Sequence, residues 1–193
     1  MWEYTAGRRY DFSPTNQLIS NLKIKPSQIT IRPRRGRYKQ QAIDHSAAAL
    51  GTLIQSSWVE RLGTLVPMPT SKIRGHADFD DRIHQILSSA FRTLNADIRP
   101  MLEQTQSTAA DHENPDRLSH SELRAITRIN EDHASAQPRA NIAVVDDVLT
   151  SGKHFKVAQE LIAQRFPGIP DIGIFVARCI RSSHSKPEPD CAI

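Results

Sequence analysis

The chain has 193 residues, 38% hydrophobic and 24% charged, with a formal net charge of +4; that suits one domain with at most a small appendage and a sizeable core. No apolar run approaches the roughly 18–20 residues that cross a bilayer, and Met1-Trp2-Glu3-Tyr4 lacks the charged-then-apolar pattern of a signal peptide, so a cytoplasmic protein without membrane contact is expected. Cys179 and Cys191 lack CxxC spacing, which supports neither a disulfide framework nor a zinc ribbon, and the positive balance suits a nucleic acid or a sugar phosphate equally.

Residues 1–39 read as a basic N-terminal segment or hood, with weak strand signals at Ile29 and Ile31 and a cluster of Arg32, Arg34, Arg35, Arg37 and Lys39. The cluster admits an RNA-binding arm, but no aromatic-rich platform accompanies it, and a solvated or subunit-facing loop is the plainer reading. The main domain is expected over residues 40–182. Its first helix carries Ile43, Ala47, Leu50 and Ile54 at spacings of four, three and four, an amphipathic stripe made to pack on a sheet.

Residues 62–69 read as a short buried strand stopped by Pro67 and Pro69, with Thr70, Ser71, Lys72 and Arg74 just beyond. Phe79, Ile83, Ile86, Leu87, Ala90, Phe91 and Leu94 then mark a strong helix. Residues 98–102 read as a strand broken by Pro100, and 104–114 as loop. Ser119 followed by Glu122 forms a capping box that opens a short helix with Leu123, Ile126 and Ile129. His112, His120 and His133 are too irregularly spaced for a metal site and are assigned to solvent. Residues 134–140 link to the next strand.

Ile142, Ala143, Val144 and Val145 form the unbroken apolar run of a strand buried on both faces, followed by Asp146 and Asp147 and by the short loop Thr150, Ser151, Gly152, Lys153 and His154. At the carboxyl end of a parallel strand the two carboxylates can serve different hydroxyls or a hydrated cation. The loop offers hydroxyls and approachable backbone N–H groups to a phosphate at a helix N-terminus, because Val157, Ala158, Leu161, Ile162 and Phe166 recur at helical spacing. Ile172, Ile174, Phe175, Val176 and Ala177 give a further buried strand containing Cys179, and residues 183–193 are a polar tail. Strands alternating with helices specify an α/β fold with right-handed crossovers and a parallel sheet.

The run from Ile142 to His154 resembles the phosphoribosyl diphosphate (PRPP) signature of type I phosphoribosyltransferases. The resemblance implies a Rossmann-like central parallel sheet flanked by helices, with a small irregular hood or flap, over the phosphoribosyltransferase-like domain 40–182. It implies that Asp146 and Asp147 contact the ribose hydroxyls and that Thr150, Ser151, Gly152, Lys153 and His154 grip the 5-phosphate. Two positions depart from the family: His154 stands where Thr or Ser is usual, and Thr150 stands where 6-oxopurine members carry an aspartate base. An oxopurine acceptor is therefore not expected.

Val66-Pro67-Met68-Pro69-Thr70-Ser71-Lys72-Ile73-Arg74-Gly75-His76 is similar to the Val-Pro-x-Pro segment of ComF-type phosphoribosyltransferase-like proteins, with a looser version of their Arg-Gly-Phe-Asn turn. Leu118, Ser119, Leu123, Arg128 and Asn130 within residues 108–130 resemble that family's flap. The cysteine ribbon of many ComF-type proteins has no counterpart in this sequence. By resemblance, Pro69, Thr70, Ser71, Lys72 and Arg74 hold the diphosphate, and the flap residues Ser119, Arg128 and Asn130 close over the centre. Mg²⁺ enters as the cofactor, carried by PRPP and oriented by Asp146 and Asp147 directly or through water.

The function implied is an Mg²⁺-dependent transferase that moves ribosyl-5-phosphate from PRPP to a nitrogen nucleophile, with no general base assigned. The alternative is a catalytically inactive module that keeps the pocket to sense PRPP or a nucleotide and to regulate or bind a partner. Nucleic-acid binding through Arg32, Arg34, Arg35 and Arg37 is a third, weaker reading, and the oligomeric state, a homo-oligomer included, stays open.

Overall fold

A computed structural model describes residues 2–108 and 118–180. In chain order it runs β1 (Trp2–Thr5), a 3-10 turn, α1 (Pro14–Leu22), α2 (Pro26–Ile31), α3 (Arg34–Leu53), α4 (Ser56–Arg61), β2 (Gly63–Pro67), α5 (Arg82–Ala90), β3 (Asp97–Ile98) and β4 (Leu102–Gln104). It continues α6 (His120–Ile126), β5 (Thr127–Ile129), α7 (Glu131–Ala134), β6 (Asn141–Leu149), α8 (Lys153–Arg165) and β7 (Asp171–Ile180). Five strands form one parallel sheet in the order β1-β7-β6-β2-β3, while β4 and β5 pair antiparallel beside it. The fold is therefore α/β with a central parallel sheet flanked by helices. Among the described residues no helix is long and apolar enough to cross a membrane.

The pleat explains why the central strands are apolar throughout. Leu65, Ala143 and Val145 join the core under α1, α3 and α5, whereas Val66, Ile142 and Val144 join the core under α6 and α8. Ile142 to Val145 are all 0% exposed. The stripe Ile43, Ala47 and Leu50 of α3 fills the first core, and Val157, Ala158, Leu161 and Ile162 of α8 fill the second. At the start of β2 the backbone passes so close to Trp58 that a Cβ on Gly63 would lie 2.2 Å from its ring, so only glycine fits.

Topology locates the site. The chain leaves β2 through α5 on one face to reach β3 on one side, and leaves β6 through α8 on the opposite face to reach β7 on the other. Crossovers that diverge in this way open a crevice outside the carboxyl ends of β2 and β6, where open α/β sheets bind ligands.

Several expectations need correction. Ile29 and Ile31 lie in helix α2, not in a strand. The N-terminal segment contributes β1 to the main sheet, missed because its four residues alternate in burial without an apolar run, and α3 runs across the boundary expected after residue 39. Asn16, fully buried, ties α1 to that strand: its Oδ1 accepts from Thr5 N–H at 3.1 Å and its Nδ2 donates to the Thr5 carbonyl at 2.9 Å. The strand expected at 98–102 divides at Pro100 between the two sheets. Ile129 belongs to β5 rather than to the helix capped by Ser119, and Ala134 closes α7 rather than opening a linker. Residues 109–114 of the expected loop, His112, the tail 183–193 and Cys191 lie outside the described residues.

Candidate functional site

β6 does not stop at Val145. The ladder with β7 continues through Asp146 to Leu149, so the acidic pair is part of the strand. Successive strand residues face opposite ways, and the two carboxylates accordingly meet different surroundings. Asp147, 3% exposed, faces α5 and receives Arg82, whose Nε and Nη2 donate to Oδ2 at 2.9 and 2.7 Å, while Lys23 Nζ stands 3.6 Å from Oδ1. Asp146 Oδ1 accepts the backbone N–H of Asp147 at 2.7 Å.

The cations are themselves anchored. Arg82 Nη1 donates to Asp80 Oδ2 at 2.9 Å, and the same oxygen takes a 2.7 Å contact from Lys39 Nζ, which also donates to the carbonyls of Leu22 and Ile24. Lys39 is only 7% exposed, so it does not belong to the solvated basic arm in which it was expected. Burial lowers its pKa against the opposing pull of Asp80. The result is a chain of alternating charge, Lys39, Asp80, Arg82, Asp147 and Lys23, buried at Lys39, Asp80 and Asp147 and partly exposed at Arg82 and Lys23. Each partner offsets a desolvation cost that none could bear alone.

This division of partners separates the two carboxyls electrostatically. Burial, reinforced by the charge of Asp147, pushes Asp146 up to about 6. Burial would also raise Asp147, but Arg82 and Lys23 outweigh it and hold that carboxyl at about 2. Arg82 answers in kind: burial works against its charge, yet Asp147 and Asp80 hold its pKa above the ordinary value.

After β6 the chain turns at Gly152, whose φ of +75° lies in the left-handed region glycine adopts at least cost, and this residue caps α8. A cleft of about 170 Å³ opens here between the β6 loop and the segment after β2. From the first side come Asp146, Asp147, Thr150 and His154, and from the second Pro69, Thr70, Ser71 and Lys72, with Lys23, Lys25 and Arg82 completing the wall. The Thr70 hydroxyl is buried and has no hydrogen-bond partner, a polar atom left for a ligand. Lys72 Nζ donates to the Thr108 carbonyl at 2.6 Å.

Other expected site residues are not brought to this cleft. Arg74 does not line it but stacks 5.4 Å above Phe79, in the wall of a larger far cavity that shares Met68, Pro69, Thr70, Lys72 and Asp80 with the cleft. Lys153 Nζ donates to the Leu118 carbonyl at 3.0 Å, tying the α8 N-terminus to the segment before α6. Ser119 forms the expected capping box with Glu122. Arg128 and Asn130 both bind Glu103 across the β4–β5 pair, Arg128 Nη2 at 2.6 Å and Asn130 Nδ2 at 2.8 Å. His120 contacts Glu160 at 3.0 Å, and His133 lines the far cavity.

Sequence reasoning missed Lys23, Lys25, Lys39, Asp80 and Arg82. Lys39 sits among exposed arginines in the sequence, and Asp80 and Arg82 precede an ordinary amphipathic helix, so only the tertiary fold unites them. Asp147 is engaged by Arg82, and among the described residues no group of three or more His, Cys, Asp or Glu side chains gathers as a metal site. Compared with protein-family models and with curated proteins, the chain matches none.

Proposed function

We propose that the β2/β6 cleft binds PRPP, with Mg²⁺ carried on the ligand, and that the protein transfers ribosyl-5-phosphate to a nitrogen nucleophile other than a 6-oxopurine, in the manner of a type I phosphoribosyltransferase of ComF-like pattern. The observation that carries this reading is the convergence, at the sheet's switch point, of a strand-end acidic pair, a glycine-turned loop on the N-terminus of α8, and a hydroxyl- and lysine-bearing loop. In this arrangement Thr150, His154 and the turn at Gly152 receive the 5-phosphate, where the dipole of α8 favours an anion. Thr70, Ser71 and Lys72 receive the diphosphate, Thr70 through its unpartnered hydroxyl.

Asp146 takes a ribose hydroxyl or orients the cation, while Asp147 holds Arg82 and Lys23 beside the pair. Bound Mg²⁺ supplies neutralisation of the leaving diphosphate. The protein side chains supply the rest: Lys72 adds positive charge where the leaving group departs, and the wall around the cleft limits water at the reacting carbon.

A second reading is favoured by one observation. Asp147 is already hydrogen-bonded to Arg82, and position 150 carries no carboxylate, which suits a module that binds PRPP or a nucleotide without turnover. Diphosphate release from PRPP and Mg²⁺ with a mixture of purines, pyrimidines and pyridine carboxylates tests the difference. Release lost in Asp146→Asn supports transfer; PRPP binding with no release over that panel supports the sensing module; absence of PRPP binding refutes both.

A further inference from the structure

We propose that Lys39 is a positioning residue for the cationic wall of the cleft: its buried ammonium fixes the turn between α1 and α2, and so holds Lys23 and Lys25 in place for the diphosphate of a bound ligand. The inference deepens the proposed function and rests on it only in that the cleft takes a phosphorylated ligand. Lys39 Nζ donates to the Leu22 carbonyl at 3.0 Å and to the Ile24 carbonyl at 2.8 Å. Those carbonyls belong to the peptide units that lead into Lys23 and into Lys25, so one ammonium grips the backbone just before each cleft lysine. Leu22 is also the last residue of α1, where carbonyls without helical partners carry partial negative charge and favour a cation.

The local sequence prepares the turn for this grip. Leu22 and Ile24 are buried, whereas Lys23 and Lys25 between and after them are partly exposed and line the cleft. Pro26 opens α2 and keeps Lys25 extended, at φ −71° and ψ 146°. Two contacts then tie the turn to the connection between β2 and α5, which also carries Thr70, Ser71 and Lys72. Lys39 Nζ stands 2.7 Å from Asp80 Oδ2, and Ser27 N–H donates to Asp78 Oδ1 at 3.1 Å. Among the described residues Lys23 and Lys25 are two of the four lysine and arginine side chains that line the cleft, beside Lys72 and Arg82. Lys39 does not line it and acts through the turn. Charges held in place bind an anion better than mobile ones, because their ordering cost is already met.

Calorimetric titration of inorganic diphosphate without Mg²⁺, at low ionic strength, tests the assignment on the full chain, on Lys39→Met, on Lys23→Gln with Lys25→Gln, and on the triple variant. PRPP is titrated in parallel. Diphosphate affinity is expected to fall about tenfold in Lys39→Met and about tenfold in the lysine pair, while adding Lys39→Met to the pair weakens it by less than about twofold more. A Lys39 that merely supports the fold would lower affinity by the same factor in both backgrounds, and that result overturns the proposal. So does unchanged affinity in Lys39→Met, or no saturable diphosphate binding by the wild type. Folding of each variant is verified by circular dichroism, and Lys39→Gln replaces the methionine variant should that one unfold. Diphosphate binding that follows the expected cycle, with no PRPP binding, supports this proposal and counts against the PRPP reading alone.

Discussion

The 68–74 loop divides two spaces that solve opposite problems. On one side the 170 Å³ cleft is dense with charge, and its buried carboxylate Asp147 is paired to a chain of cations that reaches back to Lys39. On the other side the 600 Å³ cavity is broad and mixes apolar with charged walls, with one buried carbonyl left over on Gln104. The cleft holds its charges in place before any ligand arrives, so the PRPP of the proposed function would meet oriented groups rather than mobile ones. The cavity offers more volume and a lining of mixed apolar and polar side chains. A preorganised charge network and a larger cavity of mixed lining thus share one loop.

The most damaging change should fall on the cleft side. Arg82→Leu leaves Asp147 and Asp80 buried without their shared cation and is expected to cost about 3–5 kcal/mol, measured by urea unfolding at pH 7. A loss below about 1 kcal/mol would mean that the network is solvated and the contrast between the two spaces is wrong.

The pH dependence sharpens the comparison within the acidic pair. Asp146 binds its proton more tightly folded, near pH 6, than unfolded, near 3.8, so wild-type stability falls as pH rises through that interval. Asp146→Asn should therefore be more stable than wild type at pH 7, by up to about 3 kcal/mol, and the advantage should vanish near pH 4. Asp147 behaves in the opposite sense. Held at about 2, it contributes stability above pH 3.8 that is lost as pH falls toward 2, and Asp147→Asn should destabilise at neutral pH. Parallel unfolding curves for the two variants across pH 4–8 would contradict the separation.

On the cavity side the expected effect is smaller and of reversed sign. Gln104→Leu removes an unpartnered carbonyl from a buried position and should leave stability unchanged or raise it by about 1 kcal/mol in a thermal scan. Smallest of all, Arg34→Ala with Arg35→Ala should shift stability by no more than about 0.5 kcal/mol and should make no difference to the mobility of an RNA in a gel shift at low or high salt. Arg34 begins α3, where a cation opposes the helix dipole.

Much of this was legible in the residues. The apolar run before Asp146, the glycine turn at 152 and the stripes of α3, α5 and α8 have local causes and formed a strand, a turn and helices, although α5 spans only Arg82–Ala90 and leaves Phe79, Phe91 and Leu94 of its expected stripe outside the helix. What was illegible is what the topology brings together. Lys39 reads as one of five basic residues within eight positions, yet its ammonium is drawn inward by two carbonyls and Asp80, contacts that span sequence separations of 15 to 41 residues. Arg82 reads as a helix-start residue, and its partner Asp147 lies 65 positions away. Arg74 was legible as a cation but not as one turned from the cleft, because its direction depends on Phe79 beside it and on the positive φ of Gly75. The divided strand at Pro100 shows the same limit, since a proline announces a break without naming the sheet to which each half will belong.

The central claim, that the cleft at the β2/β6 switch point recognises PRPP, is tested most directly by calorimetric titration of PRPP into the wild-type chain with and without Mg²⁺, repeated with Asp146→Asn. Saturable binding that strengthens with Mg²⁺ and weakens by about tenfold or more in the folded variant is the expected result. No saturable heat in the wild type, or equal affinity in the variant, would contradict it.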